Sequence, residues 1–210
     1  MDRISKSVSA ILGECGIIQK DDIDKCRYGL DVFLSSVLEM LSIVIISIFV
    51  KNFAETLLFF TAFIPLRIYA GGYHADTRLR CYGVLLVIYA LFSVAMKLIP
   101  ASAYIFIECI SALFTSIMVL RFAPISHSNK HINDMETQQY KKISIAIALM
   151  EVAIMIIGLL LFQKSTLLLA FTFGQLSVSL SMITALIKNL LAKGGKTDEE
   201  ASERFEKRYR

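Results

Sequence analysis

Apolar residues come in six blocks, each long enough to cross a bilayer and separated by short polar stretches. A spanning helix needs about 20 apolar residues. The blocks predict transmembrane helices over 30–50, 53–70, 82–99, 103–123, 143–162 and 166–190. Pro65 near the end of the second block predicts a kink there. Before the first block the pattern changes. Ile4, Val8, Ile11 and Leu12 recur at helical spacing while Lys6 and Glu14 fall elsewhere, which predicts an amphipathic N-terminal segment over 1–28 with a charged turn near Asp21–Lys25. Such a helix lies at the membrane surface or packs on its neighbours. The fold class is therefore all-α: a polytopic membrane protein with about six transmembrane helices. Residues 1–192 read as one membrane domain and 193–210 as a charged tail that touches anionic lipid.

Composition supports this reading. The chain is 56% hydrophobic and 19% charged, with a mean hydropathy of +0.62. Soluble domains are about 45–50% apolar and about 25% charged. A large soluble module is excluded. The start of the chain does not read as a signal peptide, because Glu14 interrupts its apolar part.

The basic residues fix the topology. Nineteen of the 22 lysines and arginines fall in alternate connections: before the first block, at 67–80, at 121–142 and from Lys188 onward. Only Lys51, Lys97 and Lys164 fall in the others. Basic residues flanking membrane segments stay in the cytoplasm. Both termini and the 67–81 connection are thus expected on the cytoplasmic side of the cell membrane.

Polar residues inside the blocks are exceptions to be placed. Gln175, Glu39, Glu108 and Glu151 are expected to face protein rather than lipid if they lie deep. Cys109 reads as a packing residue. The four cysteines, Cys15, Cys26, Cys81 and Cys109, form no CxxC pair, so no zinc site or disulfide framework is expected.

Candidate chemistry concentrates in Pro65-Leu-Arg-Ile-Tyr-Ala-Gly-Gly-Tyr-His-Ala-Asp-Thr-Arg-Leu-Arg-Cys81. A thiolate is the nucleophile of cysteine chemistry, and a neighbouring imidazole takes its proton. His74 and Cys81 are seven residues apart, about 10 Å of rise on an unbroken helix. Their direct pairing therefore requires the chain to fold back. Gly71 and Gly72 loosen the backbone just before His74. Asp76 or Thr77 caps a helix starting near residue 78, leaving Cys81 in its first turn, where the helix terminus and the nearby Arg78 and Arg80 favour a thiolate. Backbone N–H groups near Arg80–Tyr82 are candidate oxyanion donors, and Asp76 a candidate partner of His74.

Two other readings of the residues stand beside this one. A transporter without covalent chemistry would use Glu39, Glu108 and Glu151 as an ion or proton path. A metalloenzyme would use His127 and His131, spaced i, i+4, but Ser128-Asn129 and Pro124 suggest a loop and no HExxH motif is present.

The run Arg67-x-x-x-Gly71-Gly72-x-His74, followed by Cys81, resembles the signature of the accessory gene regulator B (AgrB) family. Pro65, the Ala123-Pro124 pair and the basic Lys141-Lys142 pair fit the same layout. The resemblance implies a membrane-embedded cysteine endopeptidase of quorum sensing. It implies His74 as general base and Cys81 as nucleophile, with Arg67 and Gly72 at supporting positions. The substrate implied is an AgrD-like precursor peptide, which loses its acidic C-terminal segment and is released as a cyclic thiolactone. A homodimer in contact with membrane lipids is implied, without a cofactor, a metal or a nucleic-acid partner.

Overall fold

In a computed structural model, residues 2–19, 22–73, 77–125, 134–162 and 164–209 are described. Among them are seven α-helices: α1 (Asp2–Glu14), α2 (Ile23–Val50), α3 (Phe53–Ala70), α4 (Arg78–Leu98), α5 (Tyr104–Phe122), α6 (Asp134–Leu161) and α7 (Thr166–Tyr209). A single 3₁₀ turn, Ala101–Ala103, leads into α5. The helices α2 to α7 are each long and apolar enough to cross a membrane. The protein is a multi-pass membrane protein.

Several helices outrun the apolar blocks that announced them. The helix α2 begins at Ile23 rather than near residue 30, and α6 at Asp134 rather than near 143. Hydropathy marks the hydrocarbon core, while backbone hydrogen bonding carries a helix on into the polar region. Pro65 lies inside α3 without ending it. The charged tail continues the backbone of α7.

Successive spans run antiparallel. Tight connections at 51–52, 99–103 and 162–165 gather at one end of the bundle. Gly71, just after α3, and Ile125, just after α5, lie together at the other end.

The centre of the bundle is α7, packed chiefly on α3 and α5, with α6 against all three and α2 and α4 outside. Lipid tails are as apolar as leucine, so spans associate through close packing and polar contacts rather than hydrophobic burial. The inward face of α7 is accordingly built of small or hydroxyl residues: Ala170, Thr172, Gly174, Ser177, Ser179 and Ala185 are all buried or, for Gly174, in backbone contact. Ser179 donates to Thr115 on α5 (2.9 Å). Phe59 of α3, fully buried, stacks on Phe63 (centroids 5.6 Å apart) and contacts Phe92 of α4 (4.8 Å). At the tight-turn end, Tyr89 of α4 donates to Asn52 (2.8 Å), and Asn52 donates to Ser93 (3.1 Å). The α3–α4 pair is thus fixed in register far from the candidate site.

Gly174 sets the α3–α7 spacing. A Cβ there would overlap the carbonyl oxygen of Phe59 and meet Ala62 Cβ at 3.0 Å. Backbone cannot swing aside as a side chain can. Gly174→Ala is expected to lose about 1–3 kcal/mol of stability, read as a lower thermal midpoint in detergent. An unchanged midpoint would show that the two helices have slack.

The N-terminal helix packs on its neighbour. Ser5 and Ser9 are buried and Gly13 meets Ile23, so α1 packs on α2 through its small-residue face. Ile4, Val8 and Ile11 remain exposed on the other face, as a surface-lying amphipathic helix requires.

Glu108, Glu151 and Gln175 are buried as expected, while Glu39 is only half-buried. Cys109 corrects its expectation: it is exposed on the outer face of α5 and packs in no core.

Candidate functional site

The connection after α3 is a built turn. Gly71 and Gly72 have φ of 78° and 139°, backbone that residues with a Cβ rarely adopt. Two segments distant in sequence hold it. Ile125, just past α5, donates its N–H to the Ala70 carbonyl (3.0 Å) and pairs with Gly71 in parallel. Tyr73 N–H donates to both the carbonyl (2.9 Å) and the hydroxyl (3.0 Å) of Ser181 on α7. Lys188, two turns further along α7, lies over the Tyr73 ring (5.4 Å). From α3 itself, Arg67 Nη2 donates to the Tyr73 carbonyl.

Gly72 is required by what lies against it. A Cβ on Gly72 would overlap Arg67 Nη1 and sit 2.7 Å from Ser181 Oγ. Nη1 of the guanidinium points at the glycine, into space that a side chain would fill. Among the described residues, Nη1 is buried with no hydrogen-bond partner.

Beyond the turn, Thr77 caps α4. Its extended backbone (φ −128°, ψ 147°) precedes the helix and its side chain accepts from Arg80 N–H (3.4 Å). Thr77 fulfils the capping expectation. Cys81 follows in the first turn, half-buried, with its N–H donating to the Thr77 carbonyl (3.1 Å). This overturns part of the expected oxyanion hole, since the amides of Arg80 and Cys81 are already engaged by the cap. Tyr82 ties the same turn to α2 through Ser42 (2.8 Å).

The fold thus brings Arg67, Gly71 and Gly72 together in one turn, sets Cys81 in the first turn of α4 and leaves Arg80 exposed at its start. His74 and Asp76 lie outside the described residues, as do the side chain of Arg78 and both His127 and His131. Among the described residues no group of three or more histidine, cysteine or acidic side chains is arranged to hold a metal ion.

Over residues 4–185 the sequence matches the family model described as AgrB, accessory gene regulator B. This chain belongs to the AgrB family. No curated protein and no solved structure matches it. AgrB membership ties the chain to the accessory gene regulator system and implies association with a precursor peptide. The match runs from α1 into the first half of α7, so the stapled turn, α4 and the Ser181 anchor all fall inside the AgrB region.

Sequence reasoning missed Ser181 and Ile125. Ser181 lies 108 residues from the Tyr73 it holds. Its only local signal is helical spacing from Gly174 and Ser177, which marks the inward face of α7 but not a contact with the turn.

Proposed function

We propose that this AgrB protein is a membrane-embedded cysteine endopeptidase that cleaves the acidic C-terminal segment from a short precursor peptide at the cytoplasmic face. Cys81 is the nucleophile and His74 the general base. The acyl-enzyme is captured by an internal thiol of the peptide, giving a cyclic thiolactone for quorum sensing. The observation that carries this reading is the placement of Cys81 in the capped first turn of α4, directly after the glycine turn that Arg67 and Ser181 hold. A helix N-terminus favours a thiolate.

The chemistry fits a thiol better than a hydroxyl. A thioester passes its acyl group to another thiol at little cost in free energy, whereas a serine ester would make that transfer uphill. A site at the membrane surface also keeps water from the acyl-enzyme. The segregated basic residues support a cytoplasmic site and would draw in an acidic peptide tail. In this reading residues 1–192 form the membrane peptidase domain, 193–210 a cytoplasmic tail, and the protein acts as a homodimer among membrane lipids.

The test is a time course of peptide mass. Purified protein in lipid nanodiscs is mixed with a synthetic precursor carrying an N-terminal amphipathic helix, a central cysteine and an acidic C-terminus. Release of the acidic fragment supports the reading, and the mass of the remainder distinguishes a ring from a hydrolysed acid. No fragment from any precursor of this form would count against it.

A second reading, transport, is favoured by one observation. Glu108, Glu151 and Gln175 are buried between α5, α6 and α7. Gln175 Nε2 donates to Glu151 (3.2 Å), yet both oxygens of Glu108 and one each of Glu151 and Gln175 have no partner. Intramembrane carboxyls of this kind mark ion and proton paths. Glu151→Gln separates the readings. Under the peptidase reading cleavage stays within about threefold of the parent, the surface-level scatter expected far from the chemistry. If Glu151→Gln abolishes peptide export while Cys81→Ser keeps it, transport is the activity.

A further inference from the structure

We propose that Glu151 of α6 holds a proton and closes a two-bond ring with Gln175 of α7, the acid O–H donating to the amide oxygen while the amide N–H donates to the carboxyl. This proton site stands apart from the Cys81 chemistry and does not rest on the peptidase reading. Half of the ring is in place. Gln175 Nε2 donates to Glu151 Oε2 (3.2 Å), and the two residues are 1% and 2% exposed. The other half is a pair of unsatisfied atoms. Among the described residues, Glu151 Oε1 and Gln175 Oε1 are both buried with no hydrogen-bond partner.

An ionised carboxylate cannot complete the pair. Carboxylate and amide oxygens only accept, so neither can satisfy the other. One proton on the carboxyl makes it a donor at one oxygen and an acceptor at the other, the complement of a primary amide. Turning the amide over exchanges its O and N and leaves the same deficit of one hydrogen. The hydroxyls that flank Gln175 on α7 donate elsewhere. Thr172 donates to the Leu168 carbonyl (3.0 Å), Ser177 to the Phe173 carbonyl (2.8 Å) and Ser179 to Thr115 (2.9 Å).

The distribution of charge leads to the same state. From Ile143 to Leu161, Glu151 is the only ionisable residue of α6, and α7 has none from Thr166 to Ile187. Of the other helices packed on α6, α5 brings fully buried Glu108, exposed Cys109 and, at its start, Tyr104. On α3, Glu55 lies near one end and Tyr69 near the other. Arg67, also on α3, is turned to the glycine turn beside Ser181. Ser181 is six residues past Gln175, about 9 Å of helix rise. An ionised Glu151 would thus have no counter-charge beside it. A carboxyl buried in a span without one takes up a proton. Loaded in this way, the pair ties α6 to α7, the helix whose Ser181 holds the glycine turn.

Infrared difference spectroscopy of the full chain in lipid nanodiscs at neutral pH tests the site. The parent is expected to show the C=O stretch of a protonated carboxyl that Glu151→Gln loses, with carboxylate intensity unchanged. Glu151→Gln keeps a two-bond ring as a pair of amides and should retain the parent's thermal midpoint. Glu151→Leu leaves the buried amide of Gln175 without a partner and should lower it. Gln175→Met keeps the acid and removes its partner, so the acid band should move to higher frequency.

Loss of carboxylate intensity in Glu151→Gln overturns the proposal: Glu151 is then ionised, and a water or a cation supplies what the pair lacks. A midpoint that falls as far in Glu151→Gln as in Glu151→Leu overturns the ring, as does a Glu151→Gln that does not fold. An acid band unmoved by Gln175→Met overturns the pairing even if neither Glu151 variant can be purified. Cleavage of the precursor is a separate readout, so failure of the peptidase reading leaves each of these outcomes as it stands.

Discussion

Cys81→Ala is expected to fold and insert like the parent protein and to release no acidic fragment from the precursor. The cap of α4 is made by Thr77 to backbone N–H groups, which alanine keeps. Alanine is also the best helix former. What disappears is the only group in the described turn that can form a covalent acyl intermediate. Loss of a nucleophile costs roughly 10⁴-fold or more. His74→Ala is expected to differ in its pH dependence. Without a base the thiol still ionises unaided as pH rises toward the usual thiol value of about 8.5. The residual cleavage by His74→Ala should therefore climb with pH, while that of Cys81→Ala stays at background throughout. Peptide mass spectrometry between neutral and alkaline pH reads both. Cleavage by Cys81→Ala would remove it as nucleophile, and a flat, parent-like profile for His74→Ala would remove His74 as base.

The contrast between what hydropathy reveals and what it hides follows from the range of each interaction. Six spans were legible because each is a contiguous apolar run. Helix ends were less so. The starts of α2 at Ile23 and α6 at Asp134 lie in polar sequence, where apolar periodicity is silent. In the site, Arg67, Gly71, Gly72 and Cys81 stood out because they lie within 15 residues and carry unusual chemistry for a membrane protein. Thr77 could be read as a cap from its position alone. Its consequence was hidden: a cap that uses the amides at 80 and 81 removes them as oxyanion donors. Ser181 and Ile125 were hidden more deeply, since a serine in a serine-rich span and an isoleucine after a proline carry no mark of a contact made by folding. Glu108 and Glu151 were legible as charges in apolar runs, and their burial between spans follows from the cost of exposing them to lipid.

Gly72→Ala should cost nearly as much activity as losing the base, by a physical route that leaves every catalytic group in the chain. Two penalties fall on one methyl group. The backbone at φ 139° is strained for any residue with a Cβ, at about 1–3 kcal/mol. The methyl would also enter the space of Arg67 Nη1 and Ser181 Oγ. Either the guanidinium leaves the turn, or the turn leaves Ser181. In the first case the Tyr73 carbonyl loses its guanidinium donor; in the second, the chain leading to His74 loses its anchor. A misplacement of about 1 Å at a reacting centre costs roughly 10²-fold in rate, so cleavage of the precursor should fall by at least that much. Gly83→Ala is the matched control. It lies on α4 two residues past Cys81, with nothing within 4 Å of its Cβ position. The substitution adds a good helix former and should leave cleavage at the parent rate. Equal activity of both variants would mean that the turn can open without consequence. A loss in both would trace the defect to α4 rather than to the Arg67–Gly72 contact. Loss in Gly72→Ala alone ties activity to the turn where two packed helices, α3 and α7, grip the segment that leads to His74.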